Sequence, residues 1–265
     1  MRARQPDLAA SIDRDGFEIA YDVYNEHGTP TVVLLPTWQV ASIEHWKAQV
    51  PVLARHHRVV TVHGRGTGRS SRPVDPAAYA DRELVADVVA VLDELGVDHA
   101  VIVGTSWGGS LAAQLAAAHP DRVLGLVMIA AGGAASSRPL PYQPDLDESS
   151  YDPHGLELYA LDAWRHHYDR FAQQFWELVF VEPHSTKQIE DGVGWALDTG
   201  SAVLAATTQR ESVTYEPDGM TTVLGRVTAP TLLIQGTLDL ITPMTPAVAA
   251  AESIGADVLL IEGGG

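Results

Sequence analysis

Six short apolar runs, rich in Val, Ile and Leu, punctuate the chain: 31–36, 58–63, 100–103, 123–129, 230–235 and 258–261. Their hydrophobicity is continuous rather than alternating, as a strand buried on both faces requires. Helix-spaced stretches separate most of them. The spacing predicts a helix over 45–56 and another over 81–95, where Leu84, Val88, Val91 and Leu95 share one stripe. A third is expected up to His119, ahead of Pro120, and a fourth over 246–254. Strands in series with helices imply a mostly parallel sheet covered on both faces, an α/β architecture. Residues 17–24 alternate instead and read as an antiparallel or edge strand.

Between 134 and 220 the alternation lapses. Pro139, Pro141, Pro144 and Pro153 mark an irregular start; Trp164, Tyr168, Phe171, Phe175 and Val179 then recur at helical spacing until Pro183. Shorter helices are expected over 186–197 and 201–211. The expected organisation is a core of residues 1–133 and 221–265 with a helical lid or cap at 134–220. The aromatic residues of this insertion read as the lining of an apolar pocket, with Trp164, Tyr168 and Trp195 as candidate pocket residues, or as packing within the lid itself.

Composition narrows the function classes. The 17 basic and 34 acidic residues give a net charge of −17. Nucleic acid and anionic membrane surfaces are therefore not expected as partners. With no cysteine, disulfides, thiolate metal sites and a Cys nucleophile are excluded. The basic N-terminus has no apolar stretch behind it, and no run is long enough to span a bilayer. A cytoplasmic location is the expectation.

The chemistry concentrates at Gly104-Thr-Ser-Trp-Gly108, a G-x-S-x-G pattern between an expected strand and an expected helix. A strand-to-helix turn this tight needs small residues two before and two after the serine. The helix N-terminus also favours negative charge developing near Ser106. A serine hydroxyl is a weak nucleophile without a base, and the base needs an orienting acid. Asp239, four residues after the run 230–235, is the candidate acid, with a turn or helix-cap role as the plainer reading.

Leu34-Leu-Pro-Thr-Trp38, His63-Gly-Arg-Gly-Thr-Gly-Arg-Ser70, Gly104-Thr-Ser-Trp-Gly-Gly109 and Gly236-Thr-Leu-Asp239 together resemble successive landmarks of the α/β-hydrolase superfamily. The resemblance covers all but about the first dozen residues. More narrowly, Leu35-Pro-Thr-Trp38, His45-Trp-Lys47 and Glu182-Pro-His-Ser-Thr-Lys187 resemble bacterial hydrolase modules that occur alone or fused to adenylate-cyclase or transcription-regulator domains. A homo-oligomer or a fused regulatory domain is left open on that ground.

The resemblance implies the backbone N–H groups of Trp38 and Trp107 as an oxyanion hole, and no metal or organic cofactor. Two positions depart from the pattern: Pro36-Thr37 stands where relatives carry His-Gly, and His63 where they carry Asp. His63 is expected to be structural. Relatives place a catalytic histidine just after the last strand, where this chain ends at Gly265; the expectation is a truncated sequence, impaired as it stands. His154, His166, His167 and His184 are weaker candidates for a substitute base. The implied activity is hydrolysis of a small ester, lactone or related carbonyl substrate through an acyl-enzyme. A ligand-sensing module, and an acyltransferase or perhydrolase, are the alternatives.

Overall fold

All six apolar runs become strands of one eight-stranded sheet in the computed structural model, which describes residues 4–131, 161–216, 218–242 and 244–265. The strands are β1 (Leu8–Arg14), β2 (Phe17–Tyr24), β3 (Thr31–Leu34), β4 (Arg58–Val62), β5 (Ala100–Thr105), β6 (Val123–Ile129), β7 (Thr231–Gly236) and β8 (Asp257–Ile261). Their order is β1-β2-β4-β3-β5-β6-β7-β8. β2 pairs antiparallel with both β1 and β4, and every pairing from β4 to β8 is parallel. The chain thus has the expected mostly parallel α/β sheet. β2 is antiparallel but interior, because β1, which the sequence pattern did not reveal, takes the edge.

The alternation of side chains along β3 explains why the sheet is covered twice. Val33 packs into the large core with Val60, Val62 and Ile102, while Val32 and Leu34 join Trp46, Val50 and Val59 in a second cluster on the opposite face. The second face is covered by a 3₁₀ turn over Ile43–Ala48 and the short α1 (Val50–Leu53). This corrects the expected continuous helix over 45–56. Pro51 lies in the first turn of α1, and a proline there cannot donate to a helix arriving from upstream.

The large core is closed by α2 (Asp81–Glu94) and α3 (Trp107–Ala118), whose buried faces meet each other and the sheet. Between β6 and β7 come α4 (Leu161–Val179), α5 (Thr186–Thr199), α6 (Ser201–Thr208) and α7 (Gly219–Leu224); α8 (Met244–Ser253) joins β7 to β8. α4 packs on α5 and α6, whereas α7 lies against α3. α4 is kinked at His167, which has φ −138° and ψ 36°. The prolines at 139, 141, 144 and 153 lie outside the described residues. Among the described residues no helix is long and apolar enough to cross a membrane.

Candidate active site

Ser106 sits between the last residue of β5 and the first of α3 with φ 53° and ψ −125°, a backbone state that L-residues rarely adopt. Three glycines make the turn feasible. A β-carbon on Gly104 would stand 2.0 Å from the Gly108 carbonyl oxygen, and one on Gly109 3.2 Å from the Ala131 β-carbon. One on Gly108 would collide with the Pro36 carbonyl oxygen. The Ser106 N–H donates to Ile129 O (2.8 Å), and the Ser106 carbonyl accepts from the Gly109 N–H (2.9 Å). The serine is half-buried, while residues 107–110 are buried.

The Gly108 contact brings the loop after β3 against the turn. Leu35 N–H donates to Val103 O (2.9 Å), and its carbonyl accepts from the Trp46 indole (2.9 Å), so the loop leaves the sheet from a fixed point. Thr37 and Trp38 follow, both buried. The N–H of Trp107 belongs to the first turn of α3, where backbone donors have no acceptor within the helix. The turn is therefore a natural place for a small anionic oxygen.

Asp239 lies at the same end of the sheet. In register, Thr105 pairs with Ile129 and Ile129 with Ile234, and Ala130 N–H donates to Ile234 O (2.8 Å). β5 and β7 are thus separated by β6 alone, roughly 10 Å at ordinary strand spacing. Asp239 Oδ1 accepts from the N–H groups of Ile241 (2.8 Å) and Thr242 (2.7 Å), and Oδ2 accepts from Gln235 Nε2 (3.0 Å). The turn role considered for Asp239 is real. It does not exhaust the carboxylate, because Oδ2 keeps a lone pair beyond the Gln235 bond.

Of the three candidate pocket residues, Trp164 touches Trp38 directly, with ring centres 6.0 Å apart. Phe171 (6.1 Å) and Phe175 (5.6 Å) complete an aromatic group around the Trp38 indole. Tyr168 stacks on Phe171, and its hydroxyl donates to Ala196 O (2.8 Å), which ties α4 to α5. Burial pushes that hydroxyl's pKa up. Trp195 stands elsewhere, edge-on to Trp176 with the Lys47 ammonium 5.5 Å from its ring centre. Phe171 and Phe175 share a helix face with Trp164, a signal the sequence carried; Gln235 had none.

The histidines are placed as follows. His63 is buried, with Nε2 3.1 Å from Asp22 Oδ2 and Nδ1 3.4 Å from the Arg69 N–H. A β-carbon on Gly68 would lie 2.2 Å from that Nδ1, so the turn 64–70 closes on the ring. His166, His167 and His184 are exposed, and His154 lies outside the described residues. Among the described residues no group of acidic, Cys or His side chains could hold a metal.

A serine raised between a parallel strand and a helix, with an acid two strands away, defines the α/β-hydrolase architecture. The sequence model described as "alpha/beta hydrolase fold" matches residues 26–265, and the chain belongs to that family. Epoxide hydrolase B of Mycobacterium tuberculosis is 38% identical over 186 residues, 67% of this chain and 49% of that protein. The chain thus spans about half the length of that curated relative. Among solved structures, Est816, described as an N-acyl homoserine lactone degrading enzyme, is 26% identical, with a TM-score of 0.72 over 97% of this chain and 93% of that one. The enol-lactonase of Burkholderia xenovorans LB400 shares the fold, with 20% identity and a TM-score of 0.76 over 95% of this chain and 91% of that one.

Proposed function

We propose that the chain is a serine hydrolase acting on a small ester, lactone or related carbonyl compound. Ser106 attacks the carbonyl carbon, the N–H groups of Trp38 and Trp107 hold the oxygen that becomes negative, and water then hydrolyses the acyl-enzyme. The observation that carries this reading is the strained Ser106 backbone, enforced by glycines at 104 and 108 that have no room for a side chain. Residues 134–220 act as the cap, with Trp164, Phe171 and Phe175 on the apolar side of the substrate.

The named activity of the epoxide hydrolase relative does not fit Ser106. Opening an epoxide with a serine hydroxyl would leave an alkyl ether, which water does not cleave under mild conditions. A carboxylate nucleophile leaves an ester that water can cleave. A carbonyl substrate gives Ser106 a hydrolysable ester, in keeping with the lactone-degrading activity named for Est816.

The base is an imidazole held between Asp239 and Ser106. The turn after β8 runs beside the Asp239 loop: Leu238 N–H donates to Gly264 O (2.8 Å) and Gly263 N–H to Thr237 Oγ1 (2.9 Å). A fluorophosphonate probe tests the nucleophile. Labelling that maps to Ser106 and is lost in Ser106→Ala supports the hydrolase; absent labelling with small-ligand binding intact favours a sensing module.

A further inference from the structure

The two tryptophans assigned to the oxyanion hole have their indoles held by one short stretch of the cap. Trp38 Nε1 donates to Thr207 Oγ1 at 2.9 Å, and that hydroxyl donates in turn to Leu204 O (2.7 Å). Three residues on, the Arg210 guanidinium lies over the Trp107 indole, 4.4 Å from the ring centre. Thr207 is fully buried and Arg210 nearly so.

The stretch is anchored to the core rather than free to drift. Arg210 donates to Thr207 O and, at 3.4 Å, to Asp81 Oδ1. Asp81, the first residue of α2, also accepts from Ser212 Oγ (2.7 Å), Gln114 Nε2 of α3 (3.0 Å) and the Val213 N–H (3.1 Å). One buried carboxylate therefore fixes the end of α6 against α2 and α3, the two helices that close the large core.

We propose that Thr207 and Arg210 are positioning residues that brace Trp38 and Trp107, so that their two main-chain N–H groups converge on one oxygen. The proposal rests on the serine hydrolase reading above. Its physical basis is preorganisation: oxyanion donors act because they are already in place when charge develops, and an error of about 1 Å can cost on the order of 10² in rate. Trp38 lies on a loop rather than in a strand, so its N–H direction depends on where its side chain is tied. Trp107 starts a helix at a strained turn, and a planar cation on its indole resists rotation of that first residue. A Lys would keep the charge near Asp81 and lose the planar stack.

The test is hydrolysis of p-nitrophenyl acetate by residues 1–265 in the presence of imidazole, with thermal unfolding followed in parallel. Thr207→Val keeps the shape and removes the acceptor; Thr207→Ser restores it; Arg210→Lys removes the stack. The brace predicts that T207V and R210K each lower kcat and kcat/KM about tenfold with KM within about twofold. T207S should stay within about threefold of the parent, and the T207V/R210K double variant should lose less than the product of the two single losses. A purely structural role would lower the melting temperature and leave kcat of the folded protein unchanged, which overturns the proposal. Turnover by the parent chain that Ser106→Ala leaves intact would instead overturn the hydrolase reading itself.

Discussion

A β-carbon on Gly108 would stand 2.3 Å from the carbonyl oxygen of Pro36, so α3 and the loop after β3 meet through bare backbone. The approach of the loop to the turn at Pro36 and Thr37 is thereby set by the main chain, while the direction of the Trp38 N–H beyond it is left to the side-chain ties. Gly108→Ala must push the loop away. The expected cost is about 1–3 kcal/mol of stability, as for other overpacked sites. Labelling of Ser106 by a fluorophosphonate should slow by on the order of 10². Urea unfolding and labelling rates check both, and a stable G108A labelled at the parent rate would uncouple loop from turn.

The strain at Ser106 is separable from its hydroxyl. Ser106→Ala keeps the β-carbon at φ 53°, whereas Ser106→Gly removes it. Such strain costs on the order of 1–3 kcal/mol, and glycine returns part of that through its larger entropy loss on folding. S106G is therefore expected to be more stable than S106A by about 1 kcal/mol, both being inactive. Equal melting temperatures would mean that the strain is no larger than that entropy loss.

Much of this fold is legible in the sequence because burial on both faces forces continuous apolar runs, and each of the six became a strand. β1 escaped because Leu8-Ala-Ala-Ser-Ile12 is weakly apolar and largely exposed. Its signal lay next door, in Asp15-Gly16, a two-residue turn with φ 55° and 83° that sets the hairpin register with β2. The nucleophile turn was legible because glycine spacing and a strand-to-helix setting coincide. Thr207 and Arg210 were not. Their partners Trp38 and Asp81 lie 169 and 129 residues away, and no local pattern encodes a contact made by folding alone.

Acid is expected to weaken the fold in two windows. Burial pushes His45 down to about 4, against which its bond with the Ser42 carbonyl (2.7 Å) acts only in part. Between the ordinary value of 6.5 and about 4 the unfolded chain binds a proton that the folded chain does not. Stability therefore falls as pH drops through that window. Burial of Asp22 would raise its carboxyl, but hydrogen bonds with His63 and Arg69 outweigh this and hold it below the ordinary carboxylate value. Its contribution is present above that value and is lost as pH falls through the range beneath it. Urea midpoints across pH should show His45→Gln flattening the upper window and Asp22→Asn flattening the lower one.

The Asp239 carboxylate offers the sharpest check on the base. Imidazole added to residues 1–265 should raise p-nitrophenyl acetate hydrolysis along a saturating curve, after subtraction of the rate with S106A. The carboxylate orients the ring and stabilises the imidazolium that forms when Ser106 gives up its proton. Asp239→Asn removes that charge and sets an amide against Gln235 Nε2, which already donates to the Thr242 carbonyl at 3.1 Å. A hydrogen bond to a charged group is worth about 1.5–3 kcal/mol, so the rescued rate should fall about tenfold or more in D239N. Gln235→Leu leaves the charge and loosens its aim, so its rescued rate should fall less. If D239N is rescued as well as the parent chain, Asp239 is a turn residue and nothing more. The acid would then have to be sought elsewhere along the carboxyl ends of β5 to β7, where Ser106 faces the same sheet edge.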